Sequence, residues 1–362
     1  MSAWPADTTH GTDTVASAAA PVEALSLRGS GRRQPGPDHP HHGHRPLPAR
    51  PAVRWPDGTS LRVCLVLAID NHEDEVPARW PQPQWAGGGV GMRPDPNLAR
   101  IGARAYGARR GFWRLAEGFK SLELPLTVAL DVLTAQTHPG LVDACLQGRF
   151  GRVHWVAHGM SWNRPIHEGM DTASELSYLW STRQALAGCG IHTSVWYGIE
   201  YGQSARTPSL LPQAGYRICL DWCNDEQPYP FAPGASSGRA QTGLWSLPQM
   251  ADLDDAFSMC SPRGVSVQAY ARRLVDAAAA LAVEGRQQAR VMVFTLRPFL
   301  SGQPFRVDAI LEALERIRGL PGVRFQAPED LIRDWQLAEA ATPVLPPEVC
   351  RSASSATGSR EP

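Results

Sequence analysis

Apolar runs of strand length and amphipathic stretches of helix length take turns along this chain from residue 61 onward, an order that a parallel sheet accommodates and few other folds do. LRVCLVLAI (61–69) is almost wholly apolar and stops at Asp70, the pattern of a strand covered on both faces. PLTVALD (125–131), RVHWVAH (152–158), HTSVWYGI (192–199), YRICLDW (216–222), GLWSLPQ (243–249), ARVMVFTLRP (289–298) and VRFQA predict further strands. Helices are predicted at GARRGFWRLAEGFKSLEL, with Phe112, Leu115, Ala116 and Phe119 on one face, and at GLVDACLQ, TASELSYLWSTRQALAG (172–188) and SLLPQAG. They recur at SVQAYARRLVDAAAALAVEG (266–285), RVDAILEALERIRG (306–319) and PEDLIRDW. No Gly-rich phosphate loop marks a switch point, so the expectation is a closed or distorted (β/α) barrel rather than an open doubly wound sheet.

A barrel of about 250 residues with tails accounts for a chain of 362. Residues 1–60, including PGPDHPHHGHRPLPARP, have no periodic apolar face and read as a disordered tail; 61–338 read as the barrel and 339–362 as a second disordered tail. The histidines of HPHHGHRP (39–46) read as incidental. Thirty-five basic and thirty-five acidic residues leave a formal charge of zero, which argues against a nucleic-acid partner. Seven cysteines without CxxC spacing read as reduced thiols. With no leader-like segment and no run of membrane-spanning length, the expectation is a cytoplasmic protein without a membrane partner.

Chemistry in parallel barrels collects at the C-terminal ends of strands. That rule selects Asp70 with Asn71, His72 and Glu73; Asp131; His158; Tyr197 to Glu200; Asp221, Trp222, Asn224 and Asp225; Gln249; and Arg297. The loop VPARWPQPQWAGGGVGMRP (76–94) is long enough to line a site. In WVAHGMSWNRPIH (155–167) His158 is followed four residues later by Trp162, whose indole nitrogen donates hydrogen bonds and cannot ligate a cation. Several tryptophans could stack sugars, but Trp180, on a helix, reads as core.

Taken in order, AIDNHED, YGARRGFWRLAEGF with LPLTVAL, WVAHGMSWNRP, SVWYGIEYGQSARTPSLL, CLDWCNDEQPYPF and VMVFTLRPFLSGQPFR with APEDLIRDW resemble the polysaccharide deacetylase (NodB-homology) superfamily. Within it they resemble the allantoinase-like, cytosolic amide-hydrolysing branch, over roughly residues 61–336. The resemblance implies a distorted (β/α)7 barrel of polysaccharide-deacetylase type. It also implies a first-strand aspartate acting as general base, a divalent metal held by an acidic residue and two histidines, and a last-strand histidine acting as acid. Asp70 fits the base, His72 or Glu73 falls at the metal carboxylate, and His158 matches the first metal histidine. Trp162 stands in place of the second, as in the allantoinase-like branch. Arg297 replaces the last-strand histidine; arginine stays protonated, so its role there would be to hold an oxyanion or carboxylate. Trp222, Asn224 and Asp225 resemble a substrate-facing loop, joined by Trp162, Tyr197 and Glu200. Glu200 and Gln203 stand near where many members keep an arginine.

The expected activity is hydrolysis of a carbon–nitrogen bond other than a peptide bond, in a small amide, ureide or N-acetylated substrate. Asp70 would activate water, His158 would orient it or polarise the carbonyl, and Arg297 would stabilise the oxyanion. The general acid is open among His72, Tyr197 and His158. The metal question is also open: zinc held by His72, Glu73 and His158, or no metal. Two further readings remain: a catalytically degenerate barrel that binds a carbohydrate or amide, and a glycosidase pairing Asp70 or Glu73 with Asp131 or Glu200. The partner expected is a small-molecule or sugar substrate, and the resemblance suggests a homo-oligomer.

Overall fold

The computed structural model describes residues 41–42, 46–74, 98–231, 243–260 and 264–343. The loop at 76–94, with Trp80 and Trp85, lies outside the described residues, as do most of both tails. The strands are β1 (Leu61–Ile69), β2 (Leu126–Leu130), β3 (Val153–Ala157), β4 (Val195–Trp196), β5 (Ile218–Cys219), β6 (Tyr229–Pro230), β7 (Trp245–Ser246), β8 (Arg290–Leu296) and β9 (Val323–Phe325). They form one curled sheet in the order β6-β7-β5-β4-β3-β2-β1-β8, with β9 also on β1. Every pairing is parallel except β6 with β7. β6 carries a proline, which an edge strand tolerates because its outer side needs no donor.

Coil rather than a ladder bridges β7 and β8: Met250 N donates to Val293 O at 2.8 Å and Val291 N to Glu226 O at 2.9 Å. This seam is what distorts the barrel. β4, β5 and β7 have two residues each, shorter than their apolar runs predict. Their continuations bend into the site loops, where Gly198 N donates to the Asp221 carboxylate instead of to a neighbouring strand.

The helices are α1 (Leu98–Tyr106), running through a π-helical turn at Gly107–Gly111 into α2 (Phe112–Ser121), then α3 (Val132–Thr137), α4 (Pro139–Leu146), α5 (Thr172–Gly188) and α6 (Thr207–Leu210). α7 (Asp255–Met259), α8 (Val267–Glu284), α9 (Pro298–Ser301), α10 (Val307–Arg318) and α11 (Pro328–Ala341) follow. α5 occupies its predicted span; Asp171 caps it by accepting from Ser174 N. Trp180 is not core. It stands off the buried face set by Tyr178, Leu179, Thr182 and Leu186, and is 56% exposed.

Period-two alternation sorts each strand into two faces. Leu61, Val63, Leu65, Leu67 and Ile69 join Val128, Leu130, Trp155, Trp196 and Phe294 beneath the helices. Cys64, Val66 and Ala68 join Ala129, Val156, Val195, Tyr197, Ile218, Leu220, Val291 and Val293 inside the barrel. Near the strand N-termini that interior is plugged by Leu331, Ile332 and Trp335 of α11 with Val53 and Trp55, the Trp55 and Trp335 rings 5.3 Å apart. Described structure thus begins before residue 61 and continues past 338 to 343. Residues 46–60 lack periodicity, yet they insert two buried anchors, Val53 and Trp55, and α11 runs on to Ala341.

Candidate active site

Extending the inner-face register past each strand end places Asp70 after β1, His158 after β3 and Arg297 after β8 on the interior side, above the apolar plug. All three are buried. His158 Nε2 lies 3.6 Å from Asp70 Oδ2, so the structure brings these two residues face to face. His158 Nδ1 is 2.6 Å from the Tyr197 carbonyl. A carbonyl only accepts, so Nδ1 carries the proton and Nε2 presents a lone pair. Nε2 is buried without a partner among the described residues. Two acceptors facing each other suit a molecule that donates to both, such as water. Burial pushes the imidazole down to about 3 against the pull of the Tyr197 carbonyl, with Arg297 lowering it further. His158 is therefore neutral in the physiological range and does not serve as the general acid in its resting state.

Sequence reasoning missed Arg104, on α1. Its NH1 forms an ion pair with Asp70 Oδ1, and NH2 is 3.6 Å from Glu200 Oε1. The guanidinium carbon lies 4.0 Å from the centroid of the Trp162 ring and 5.0 Å from that of Phe299. Burial lowers Arg104 to about 9, which leaves it a cation at neutral pH. Trp162 Nε1 donates to Glu200 Oε1 at 2.7 Å, so one indole stacks on the cation and anchors the carboxylate. Glu200 and Tyr201 have φ of 51° and 57°. Two consecutive non-glycine residues in the left-handed region store strain beside the site, as functional loops often do. Tyr197 stacks on His158 at 4.5 Å, and burial pushes its phenol up, away from useful proton donation.

The predicted metal set does not converge. Glu73 is neutralised by Arg164, with NH2 at 2.6 Å and Nε at 3.0 Å, and accepts from Ser161 Oγ at 2.6 Å. His72 Nδ1 is 2.6 Å from the Glu73 carbonyl, and its ring packs 5.2 Å from Trp162. Among the described residues no three His, Cys, Asp or Glu side chains are grouped to hold a metal ion. His72, Glu73 and His158 therefore do not fit a divalent ion: the carboxylate is spent on Arg164, and the cation beside Asp70 is a guanidinium.

Arg297 is committed to carboxylates. NH1 pairs with Asp254 and lies 3.4 Å from Asp255 Oδ1, while its backbone N donates to Asp255 Oδ2 at 2.7 Å. Asp255, raised to about 7 by burial, also accepts from Ser301. Asn224 and Asp225 are not brought to the Asp70 cluster. Asp225 is clamped by Arg50 at 2.6 and 2.8 Å, and the adjoining Glu226 carbonyl bonds the start of β8, the end opposite Arg297. Asn224 accepts from Tyr229 OH, and Trp222 packs on His42 and Phe231. Asp131 caps α3 by accepting from Thr134 N at 2.7 Å and also takes Asn71 N at 2.9 Å. Asp221 holds Gly198 N at 2.6 Å; burial raises both aspartates to about 7. With Asp131 spent as a cap and Glu73 on Arg164, the glycosidase pairings reduce to Asp70 with Glu200, and both of those carboxylates share the Arg104 guanidinium.

No family model matches the chain. A Schizosaccharomyces pombe protein described as "Putative polysaccharide deacetylase" is 26% identical over 246 residues, 64% of this chain and 74% of the relative. The crystal structure of Puue allantoinase superposes with a TM-score of 0.68 at 22% identity, covering 86% of this chain and 96% of that one. That of a "probable Polysaccharide deacetylase" from Pseudomonas aeruginosa PAO1 gives 0.68 at 22% identity over 83% and 95%. A Mycobacterium smegmatis counterpart gives 0.66 at 22% identity over 82% and 97%. The resemblance read from the order of the motifs is matched by these relatives, and the chain has the distorted barrel fold that the polysaccharide deacetylases and the allantoinase share.

Proposed function

We propose that this protein hydrolyses a carbon–nitrogen bond other than a peptide bond in a small amide, ureide or N-acetylated substrate. The observation that carries the reading is the facing pair of buried acceptors, His158 Nε2 and Asp70 Oδ2 at 3.6 Å. A water between them donates one hydrogen to each. As its oxygen attacks the carbonyl carbon, Asp70 takes the proton, and neutral His158 keeps the oxygen lone pair aimed at the substrate. The tetrahedral oxyanion forms beside Arg104, already buried and oriented. Asp70, now a neutral acid, returns the proton to the leaving nitrogen. It takes the role offered to His72 and Tyr197, because the His72 ring nitrogen Nδ1 faces a carbonyl and the Tyr197 phenol is too weak an acid. Glu200, with its side chain 16% exposed, is placed to accept a substrate N–H. Arg297 acts at a distance, holding the charge balance around His158.

A barrel that binds such a ligand without turnover is the second reading, favoured by the direct Asp70–Arg104 pair, which draws basicity from the carboxylate. A panel of acetylated sugars, ureides and linear and cyclic amides, followed both for amine or acid release and for binding, separates the two. Release is the expected result; binding without release would establish the second reading.

A further inference from the structure

We propose that Arg104 is the built-in cation of this site, a guanidinium occupying the electrostatic place that a divalent metal takes in sites built on an aspartate and imidazoles. The proposal deepens the hydrolase reading, but its test does not depend on turnover. Its basis is geometric. Asp70 Oδ1 pairs with Arg104 NH1, Glu200 Oε1 lies 3.6 Å from NH2, and His158 Nε2 lies 3.6 Å from the other Asp70 oxygen. Asp70 and Glu200 are thus gathered around one positive charge, which Arg104 supplies, and His158 faces the other oxygen of Asp70. Trp162, at the position where the resemblance implies a second metal histidine, offers no ligand atom; its ring faces the guanidinium at 4.0 Å and its Nε1 holds Glu200. The indole replaces a metal ligand and seats the replacement cation in the same step.

The backbone carrying Arg104 is fixed by close packing. α1 enters a π-helical turn at Gly107–Gly111, and a Cβ built at Gly111 would stand 1.9 Å from the Pro298 carbonyl of α9, one at Gly107 2.9 Å from Phe299 N. α9 directly follows Arg297, so the contact ties the Arg104 helix to the end of β8. A fixed guanidinium stabilises a developing oxyanion without reorganising, as a metal does. It also repels a second cation at short range in a poorly screened interior.

Zinc alone is the probe, titrated calorimetrically into the full chain, with Asp70→Asn reporting which binding belongs to this site. The parent is expected to show no zinc binding that Asp70→Asn removes. Arg104→Gln, which keeps length and removes charge, is expected to gain Asp70-dependent zinc affinity of about tenfold or more, a modest share of the Coulomb repulsion relieved. Arg104→Lys, which keeps the charge, should stay at the parental level. Should Arg104→Gln not fold, by circular dichroism, the parent and Arg104→Lys titrations still decide the matter. Asp70-dependent stoichiometric zinc binding in the parent, or a folded Arg104→Gln variant with no gain, would overturn the proposal. Failure to find a hydrolysed substrate would count against the function proposed above and leave the zinc result standing.

Discussion

Each residue in the cluster holds its chemistry through one neighbour. The Tyr197 carbonyl fixes the His158 tautomer, and burial lowers that imidazole from its ordinary 6.5 to about 3. The unfolded chain then binds a proton that the folded one refuses, so His158 contributes stability above about pH 6.5 that is lost as pH falls toward 3. The unfolding free energy of the parent, relative to a His158→Gln variant, should decline across that window; a flat difference in urea titrations would show that the histidine is solvated. Asp131, raised from 3.8 to about 7, works in the other direction, its contribution complete at acid pH and lost as pH rises through about 7. Trp162→Phe keeps a ring near Arg104 but removes the donor to Glu200 together with part of a fully buried indole. It should cost about 1–2 kcal/mol in the same assay, and no loss would mean that the indole hydrogen bond is exchanged freely with water.

At the scale of elements, the turn that seats Arg104 depends on glycine. Gly111→Ala should destabilise by about 2 kcal/mol or more, because its methyl meets a backbone carbonyl that cannot swing aside. Gly102→Ala, one helix earlier with nothing within 4 Å of the added methyl, should stabilise by about 0.5–1 kcal/mol. The two together test the packing account: equal effects in thermal melts would refute it. Asp171→Ala should cost about 1 kcal/mol through loss of the α5 cap. Strands β1, β2, β3 and β8 and helix α5 were legible because apolar period and length are local properties of the chain. The two-residue strands β4, β5 and β7 were legible only as apolar runs, since where a ladder stops depends on which neighbour takes the next backbone donor.

For the whole molecule, the strand-end rule selected Asp70, His158 and Arg297 among other strand-end residues, and the register of the folded strands turns these three to the inner face of the barrel. It could not show that Arg297 is spent on Asp254 and Asp255, or that Glu73 is spent on Arg164, since those pairings join segments far apart in sequence. Nor could it pick out Arg104. Arg100, Arg109, Arg110 and Arg114 surround it in the chain, and only the tertiary fold shows that Arg104 meets Asp70. Asn224 and Asp225 mark the same limit, since the seam carries them to the other end of β8. Six cysteines among the described residues are free thiols, and no described helix is long and apolar enough to cross a membrane.

The proposed reaction rests on a water activated between one carboxylate and one neutral imidazole. Its most direct test is the turnover of Asp70→Asn on whichever amide the parent cleaves, with thermal melting measured on the same preparations. Loss of kcat/KM by about a hundredfold or more in a variant that still melts cooperatively is the predicted result; a folded Asp70→Asn variant that hydrolyses as fast as the parent would contradict it.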